Sequence, residues 1–397
     1  MMRRSHIDDY IEKQEGLFPL TRETLEFFQL QKLNEMLARM CAHGVEGLPK
    51  KIDSLEMLAS LPFTTAAALA AHPARYLLSS QAEVARIITD QTSGTTSASK
   101  RVFYTEEDVM HTVDFFAAGI SEMVQPGEAV LITMPFSGTF GLGDLIKRAV
   151  EKIGARPLCM GWGKDYATLA DCVTCEKPLA YIGFPVPLLS LARAMGEACT
   201  IKRALISGDS CPTGVFELLS AQFTMYPHYG SREICMGGAI TCPAFDGMHV
   251  RENHFIVEIV DADGNVVPDG EEGEMVITTI GMKAMPLLRY RTGDRTRILP
   301  GDCLCGSVTK RIAQSFRVGE AATMLERLDS VIFRLPEVVD AHAQYVAGVL
   351  HVKALCKGEC AAALDATVRA IVPEAVTETL PYHDSALPLY PGKRILK

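Results

Sequence analysis

The sequence lacks any apolar stretch that could cross a membrane. Its longest apolar candidate, residues 178–195, is interrupted by three prolines and an arginine, whereas a membrane-spanning helix needs roughly 20 apolar residues in a row. The first residues, MMRRSHIDDYIEK, contain two arginines but no apolar core of the kind found in a secretion signal. We therefore expect a cytoplasmic protein with no membrane partner.

An excess of basic residues is also missing. The formal net charge is −9 at pH 7, so the composition gives no excess of positive charge to bind a phosphate backbone, and we expect no nucleic acid partner.

Cysteine, in contrast, occurs 12 times. Because the cytosol keeps thiols reduced, these cysteines predict free thiols or metal ligands and not disulfides.

The length and the hydrophobic pattern predict two domains. A chain of 397 residues exceeds the usual size of one domain. Apolar runs such as 129–136 alternate with amphipathic segments such as 142–154, which is typical of an α/β fold, and residues 254–300 change to short strand-like runs separated by turns. We predict a large α/β domain with a β-rich subdomain over 1–309 and a small, mobile α+β domain over 310–397.

One short segment is unusually rich in hydroxyl groups. Residues 92–99 read TSGTTSAS and lie just before Lys100. The segment follows a strand-like run, and a helix is expected to begin after Thr105, because Thr105 and Asp108 form a capping-box pattern. A strand, a loop with glycine and hydroxyl groups, and a helix together can surround a phosphate with donors. The segment is therefore a candidate phosphate-binding loop.

Two other interpretations of this loop stay open on its residues alone. A P-loop would need a second glycine, where this chain has Ser99, and a hydroxyl after the lysine, where it has Arg101. An ordinary surface turn rich in serine and threonine would need no ligand at all.

Four motifs in order resemble those of adenylate-forming enzymes. The loop matches the family pattern Ser/Thr-Ser-Gly-Thr-Thr-Gly-x-Pro-Lys, except that Ser97 and Ser99 replace the second glycine and the proline. The segment 228-HYGSRE-233 resembles the aromatic-Gly-x-Thr-Glu motif, and 289-RYRTGD-294 matches the Tyr-x-Thr-Gly-Asp motif. Finally, 391-PGKR-394 resembles the C-terminal element that carries a catalytic lysine.

With 61-LPFTTAAAL-69 and the region after residue 240, these motifs resemble the branch that contains phenylacetate–CoA ligases and coenzyme F390 synthetase-like proteins. The resemblance implies that ATP activates a carboxylic acid, aromatic or similarly apolar, to an acyl-adenylate, and that coenzyme A then takes the acyl group. ATP/AMP, Mg²⁺ and coenzyme A are the implied cofactors. The sequence leaves the oligomeric state open, and a homodimer is one option.

The resemblance also assigns roles to individual residues. Tyr229 would lie on the adenine face, and Asp294, an acceptor-only side chain, would bind the ribose hydroxyls. Glu233 would hold Mg²⁺, which prefers oxygen ligands. The full implied nucleotide site is Thr92, Ser93, Gly94, Thr95, Thr96, Lys100, Ser207, Gly208, Asp209, Tyr229, Gly230, Ser231, Arg232 and Asp294. The implied catalytic residues are Lys393, Glu233 and Arg311.

Two departures from the family pattern bear on these roles. Arg232 stands where a threonine is usual, although a guanidinium can still bind a phosphate with two hydrogen bonds. In 310-KRIAQ-314, Ala313 and Gln314 stand where the family has an acidic pair that contains the hinge residue. Rotation of the C-terminal domain for the second half-reaction is therefore an open point.

A cysteine and histidine pattern forms a second candidate site. Three thiolates and one imidazole make a closed tetrahedral set that suits structural Zn²⁺, whereas buried free cysteines alone are also common as small apolar residues. Similar positions recur in the resembled branch, so we predict a zinc site. Its ligands would be Cys242, His249, Cys303 and Cys305. The pair Cys172 and Cys175 has no partner pair and predicts ordinary thiols.

The acid pocket is the least defined part of the prediction. The resemblance points to residues 135–143 and 207–210, where Phe136 and Phe140 would face an aromatic ring or would only fill the core. Two alternative functions remain: adenylation with transfer to a carrier protein or an amine, and a nucleotide-binding protein with little turnover.

Overall fold

The computed structural model describes residues 3–90, 100–138, 141–317, 319–390 and 392–396. The helices are α1 His6–Glu15, α2 Arg22–Ala42, α3 Ala66–Ala71, α4 Glu106–Ile120, α5 Leu142–Lys152, α6 Tyr166–Glu176, α7 Pro185–Met195, α8 Thr213–Ser220, α9 Glu320–Ile332 and α10 Ala361–Arg369. The strands are β1 Val84–Asp90, β2 Lys100–Thr105, β3 Ala129–Ile132, β4 Arg156–Cys159, β5 Ala180–Gly183, β6 Arg203–Ile206, β7 Thr224–Tyr229, β8 Ala239–Thr241, β9 Met248–Val250, β10 Ile256–Val260, β11 Gly273–Thr278, β12 Tyr290–Thr296, β13 Arg311–Ile312, β14 Phe316–Arg317, β15 Val338–Val346, β16 Val349–Cys356 and β17 Val376–Pro381.

The chain forms two compact units, and each unit is built from two segments. Unit 1 consists of Met1–Glu122 and His228–Phe316, and unit 2 of Met123–Pro227 and Arg317–Lys397. Within the described ranges, every helix is too short or too polar to cross a bilayer. The mixed α/β fold with several sheets confirms the predicted fold class.

Unit 1 contains the β-rich part that the sequence predicts. The strands β10, β11 and β12 pair in antiparallel order. The last two residues of β7 pair with β8, which continues through β9 to β13. The predicted capping box is confirmed: the Thr105 side chain accepts from the Asp108 N–H, and the Asp108 carboxylate accepts from the Thr105 N–H.

The setting predicted for the hydroxyl-rich loop is wrong in one respect. The loop does not lead from a strand into a helix, because Lys100–Thr105 forms strand β2, which pairs antiparallel with β1. The run KRVFYT contains Val102, Phe103 and Tyr104, residue types that favour a strand, and its burial alternates from Lys100 to Tyr104. The loop therefore connects two strands of a hairpin, and helix α4 begins only at Glu106.

Unit 2 contains a parallel sheet with the strand order β4-β3-β5-β6-β7. The residues of β3 and β5 are all buried, as expected for central parallel strands with helices between them. The second segment adds helices α9 and α10 and the sheet β15-β16-β17. This α+β arrangement matches the elements predicted near the C-terminus.

The two segments of unit 2 share one hydrophobic core. Side chains of α7, such as Leu188, belong to the same buried cluster as Leu328 of α9 and Val352 of β16. Polar contacts join the same segments, since the Arg193 guanidinium donates to the Leu335 carbonyl at 3.1 Å and also to those of Phe333 and Val338. The described part of 317–397 thus packs with residues 123–227 in this unit.

Candidate active site

Strands β7 and β12 bring together two of the predicted nucleotide-binding residues. Tyr229, the last residue of β7, donates its hydroxyl hydrogen bond to the Asp294 carboxylate of β12 at 2.9 Å. Tyr229 is buried, whereas Asp294 is half-buried. The Asp294 N–H donates to the Thr292 hydroxyl at 3.0 Å, which fixes the backbone of the Thr-Gly-Asp turn.

The next residue, Gly230, is required by close packing. A methyl group in place of its hydrogen would lie 1.8 Å from the Met236 carbonyl oxygen, a distance that no side chain tolerates. The Met236 N–H donates to the Ser231 carbonyl at 2.7 Å, so the chain folds back tightly after β7. Ser231 is half-buried and Arg232 is exposed, while the Arg232 carbonyl accepts from the Tyr104 hydroxyl.

This tight turn buries the carboxylate of Glu233, which is only 6% exposed. The carboxylate pairs with the Lys100 ammonium and accepts a hydrogen bond from the Tyr290 hydroxyl at 2.8 Å. Burial alone would raise the pKa of Glu233, but the charge of Lys100 and these hydrogen bonds outweigh it and keep the pKa below its usual value. Glu233 is therefore a buried, ionised carboxylate.

Lys100 and Tyr290 reach Glu233 from two different elements. Lys100 is the first residue of β2, directly after the hydroxyl-rich loop, and its ammonium lies 3.4 Å from the Tyr290 hydroxyl. Tyr290 belongs to the Tyr-x-Thr-Gly-Asp motif, but the sequence analysis gave it no role. Its position in that motif, four residues before Asp294, could have indicated a role for Tyr290 at this site.

The carboxylate oxygens of Glu233 are of the kind that Mg²⁺ prefers. A buried carboxylate needs a cation or several donors, and Lys100 supplies the positive charge in this structure. The residues present therefore fit a magnesium ion at Glu233, provided that the ion takes the place of the ammonium.

Arg311, the third predicted catalytic residue, is held by other parts of unit 1. It is buried in β13, pairs with the Asp246 carboxylate, and donates to the carbonyls of Asp246 at 3.0 Å and Gly301 at 2.9 Å. These contacts stabilise the connection between β13 and its neighbouring turns. The structure thus brings Arg311 to Asp246 and not to Glu233 or Asp294.

Unit 2 carries the remaining described residues of the prediction. Ser207, Gly208 and Asp209 follow directly after β6, and the Asp209 carboxylate accepts the Arg394 N–H at 2.8 Å. Burial raises the pKa of Asp209 to about 6, although the Arg394 N–H and the nearby cations oppose the rise. The Lys393 side chain is exposed.

Lys393 is held in place through its neighbour Arg394. The Arg394 guanidinium makes two hydrogen bonds to the Asp329 carboxylate of α9, at 2.7 and 2.6 Å, and one to the Ala341 carbonyl at 2.6 Å. Both charged side chains are buried. This ion pair could not be predicted from local sequence patterns, because nothing in the local sequence links residues 329 and 394.

Several predicted residues lie outside the described part of the chain. They are Thr92, Ser93, Gly94, Thr95 and Thr96 of the loop, and Phe140 of the acid pocket. Their roles stay predictions.

The four predicted zinc ligands converge in unit 1. The ligand atoms of Cys242, His249, Cys303 and Cys305 lie within 4.8 Å of one another, and all four residues are buried. The sulfurs of Cys242 and Cys303 are 3.7 Å apart, and the Cys305 sulfur lies 3.4 Å from His249 Nε2. Tetrahedral zinc with Zn–S bonds of about 2.3 Å would hold two sulfurs about 3.8 Å apart, so the spacing fits zinc.

The second ring nitrogen of His249 has its own partner. Nδ1 lies 2.9 Å from the Thr309 hydroxyl, which leaves Nε2 toward the sulfurs. A partner of this kind fixes the orientation of a metal-binding histidine. Strand β9 supplies His249, and the turn before β13 supplies Cys303 and Cys305, so the cluster joins two parts of the β-rich region.

Comparisons with known proteins agree with this geometry. The family model "AMP-binding enzyme" matches residues 53–284, more than half of the chain. The phenylacetate-coenzyme A ligase of Thermus thermophilus is 28% identical over 368 residues, which cover 84% of this chain and 80% of that protein. The corresponding ligase of Aromatoleum evansii is 30% identical over 276 residues, covering 65% and 60%.

Solved structures extend the similarity to the fold. 2-Hydroxyisobutyryl-CoA ligase in its postadenylation state, in complex with 2-HIB-AMP, has a TM-score of 0.73 at 18% identity and covers 93% of this chain and 87% of its own. The chain therefore belongs to the AMP-binding family of adenylate-forming enzymes, in its phenylacetate–CoA ligase-like branch.

Proposed function

We propose that the protein is an AMP-forming acid–CoA ligase that acts on an aromatic or similarly apolar carboxylic acid. In the first half-reaction, a carboxylate oxygen attacks the α-phosphorus of ATP and pyrophosphate leaves. In the second, the thiol sulfur of coenzyme A attacks the acyl carbon, gives up its proton, and AMP leaves. The observation that carries the proposal is the gathering of Tyr229, Asp294 and the buried Glu233 in one unit.

Tyr229 and Asp294 would bind the nucleoside. The aromatic ring of Tyr229 offers an apolar face for adenine, and its hydroxyl orients the Asp294 carboxylate. A carboxylate in a fixed orientation can accept hydrogen bonds from both ribose hydroxyls. This pair would therefore set the position of the nucleotide before any bond is broken.

Glu233 would hold the magnesium ion of MgATP, with the Tyr290 hydroxyl keeping the carboxylate in orientation. When bound, Mg²⁺ neutralises the negative charge on the phosphates. Lys100, displaced from Glu233, would then be available to the phosphates, close to the hydroxyl-rich loop that contains Thr92 to Thr96. Lys393 would stabilise the charge that develops while the carboxylate attacks.

The Cys242, His249, Cys303 and Cys305 cluster would hold one structural zinc ion. Its ligand set is closed, with no position for a substrate. The zinc would fix the turn that carries Cys303 and Cys305 to strands β8 and β9. This role is separate from the chemistry of the acid and the nucleotide.

We also propose a cytoplasmic location, and we retain the domain boundary near residue 310 as a proposal.

A second candidate function, adenylation with transfer to another acceptor, is favoured by the atypical hinge. The Ala313 N–H donates to the Arg297 carbonyl at 3.0 Å, and the Thr296 hydroxyl donates to the Ala313 carbonyl at 2.9 Å. These bonds would have to break if the backbone rotated at residue 313.

A panel of acids tests the proposed function. Acid-dependent exchange between ATP and labelled pyrophosphate is measured for phenylacetate, benzoate and short aliphatic acids, and AMP release is then measured with and without coenzyme A. We expect exchange with an aromatic acid and thioester formation with coenzyme A. Exchange that never leads to a thioester would favour the second candidate, and the absence of exchange with every acid would refute both.

A further inference from the structure

The chain has one tryptophan, and it lies against the segment that carries Lys393. A methyl group on Gly392 would come within 2.6 Å of Trp162 Cζ3, so the backbone of residue 392 packs directly on the indole ring. Trp162 nevertheless remains 48% exposed. A half-exposed indole therefore borders the backbone just before the predicted adenylation lysine.

The same indole contacts a second aromatic ring. The centroids of the Trp162 and Phe184 rings are 6.5 Å apart at an interplanar angle of 37°. Phe184 in turn packs on Gly208, where a methyl group would come within 2.8 Å of Phe184 Cε1. The two rings thus join the Lys393 segment to the Ser207–Asp209 segment within unit 2.

A hydrogen bond also links the Lys393 segment to the Ser207–Asp209 segment. Asp209, next to Gly208, accepts the N–H of Arg394, next to Lys393, at 2.8 Å. Lys393 is therefore held between two contacts, the Gly392 packing on Trp162 and the Arg394 bond to Asp209. Its own side chain is exposed.

A third aromatic residue, Phe136, lies next to Gly161, the residue before Trp162. Phe136 is half-buried, and a methyl group on Gly161 would be at 3.6 Å from Phe136 Cδ2, an ordinary contact distance. The residue before Trp162 thus touches the phenylalanine that the sequence analysis placed in the acid pocket. The half-exposed Trp162 ring thus packs on the buried Phe184 ring, and its neighbour Gly161 lies next to Phe136.

We propose that Trp162, which packs beside the Lys393 segment, contacts the substrate and recognises the ring of the acid. The inference rests on the proposed function and names its substrate subsite. An apolar ring gains most from an aromatic surface that water otherwise covers, and Trp162 offers such a surface. The Gly392 contact also places the indole where acid binding can influence the position of Lys393.

The fluorescence of this single tryptophan tests the contact without turnover. Wild-type protein is titrated with phenylacetate in the absence of ATP, with acetate as the control ligand. We expect a saturable change with phenylacetate and none with acetate. If phenylacetate supports pyrophosphate exchange but leaves the fluorescence unchanged up to its KM, the ring does not touch Trp162 and the inference is wrong.

Steady-state kinetics provide the second test. Trp162→Ala should raise the KM for phenylacetate by on the order of 10-fold, the value of one lost aromatic contact, and should leave the KM for ATP unchanged. Trp162→Phe should recover most of the loss. Phe27→Ala removes another exposed aromatic side chain, in unit 1, and serves as the matched control.

The coupling to Lys393 is tested by Gly392→Ala, with Ile395→Ala as the control in the same segment. The added methyl group must push the segment away from the indole, so kcat should fall while the melting temperature stays within a few degrees. A rise in both KM values after Trp162→Ala, or no rise in either, would refute the ring contact. Absence of exchange with every acid in wild-type protein would instead refute the proposed function itself.

Discussion

Two buried ion pairs in this protein differ in how completely their partners are satisfied. In unit 1, Glu233 pairs with Lys100 and accepts one further hydrogen bond, from Tyr290. In unit 2, the Asp329 and Arg394 side chains meet through two parallel hydrogen bonds, and the guanidinium also binds the Ala341 carbonyl. In the first pair, a metal ion could replace the Lys100 ammonium, because an ammonium is a point charge without a fixed bidentate geometry. The second has the geometry of a permanent contact.

The difference indicates which buried charges serve chemistry and which serve the fold. If Glu233 receives a metal ion, as we propose, its partner must be able to leave, and Lys100, on the strand after the proposed phosphate-binding loop, would be such a partner. A side chain that must hold a terminal segment in place needs bidentate geometry. The four predictions that follow probe this contrast, beginning with the largest effect.

The largest effect is expected for Asp329→Ala. Removal of one partner from a buried pair leaves an uncompensated charge and costs about 3–5 kcal/mol in the free energy of unfolding. Denaturant titration measures the loss. The matched control is Asp365→Ala, which removes an exposed pair with Arg369 and a hydrogen bond from Thr377 and should cost much less. Equal losses in the two variants would show that the Arg394 pair is not a structural contact.

Lys393→Ala should lower the rate of adenylation by on the order of 10²- to 10³-fold, because a positioned charge stabilises the transition state. Nucleotide affinity should change little, and thioester formation from a chemically supplied acyl-adenylate should survive. Lys353→Ala, which removes an exposed lysine of β16, is the control. If both half-reactions fall equally, or neither falls, Lys393 is not the adenylation lysine.

The proposed zinc site adds another group of buried side chains to the comparison, Cys242, His249, Cys303 and Cys305. Protein purified without added metal should contain about one zinc ion per chain bound by four ligands. Cys305→Ser should lower both the zinc content and the melting temperature, whereas Cys175→Ser, at an exposed thiol, should change neither. An unchanged melting temperature together with no bound metal would show that the cluster is not a zinc site.

Tyr290→Phe should have the smallest effect. Loss of one hydrogen bond to the Glu233 carboxylate should raise the Mg²⁺ concentration needed for half-maximal nucleotide binding by about 10-fold. The pKa of Glu233 should rise, because the Tyr290 hydroxyl helps to keep it low. In the pH profile of pyrophosphate exchange, the acidic limb should therefore move to higher pH. The exposed Tyr345→Phe is the control, and a superimposable pH profile in both variants would contradict the role of Tyr290.

Local sequence patterns predicted much of the fold and part of the site. The Thr105 and Asp108 capping box, the turn that carries Asp294 and the Cys303-x-Cys305 pair depend on residues close together in the chain.

Features that depend on distant residues were not predicted. Strand β2 was missed because its pairing with β1 overrides the expected direct passage from the loop to a helix. The Arg394 pair with Asp329 and the shared core of residues 317–397 with 123–227 join parts of the chain that no local pattern connects. Arg311 carried a family motif, but its contacts with Asp246 are also a property of the folded chain.

The most direct test of the account compares Glu233→Gln with Asp329→Asn in one experiment. Acid-dependent pyrophosphate exchange and the melting temperature are measured for both variants and for wild-type protein. We predict that Glu233→Gln loses most of the exchange, because the proposed magnesium ligand is gone. It should lower the melting temperature only moderately, because the glutamine oxygen can still accept hydrogen bonds from Lys100 and Tyr290. Asp329→Asn should lower the melting temperature more than Glu233→Gln does, because it breaks the bidentate hydrogen bonding to Arg394. Near-normal exchange in Glu233→Gln would contradict the assignment of this carboxylate to adenylation.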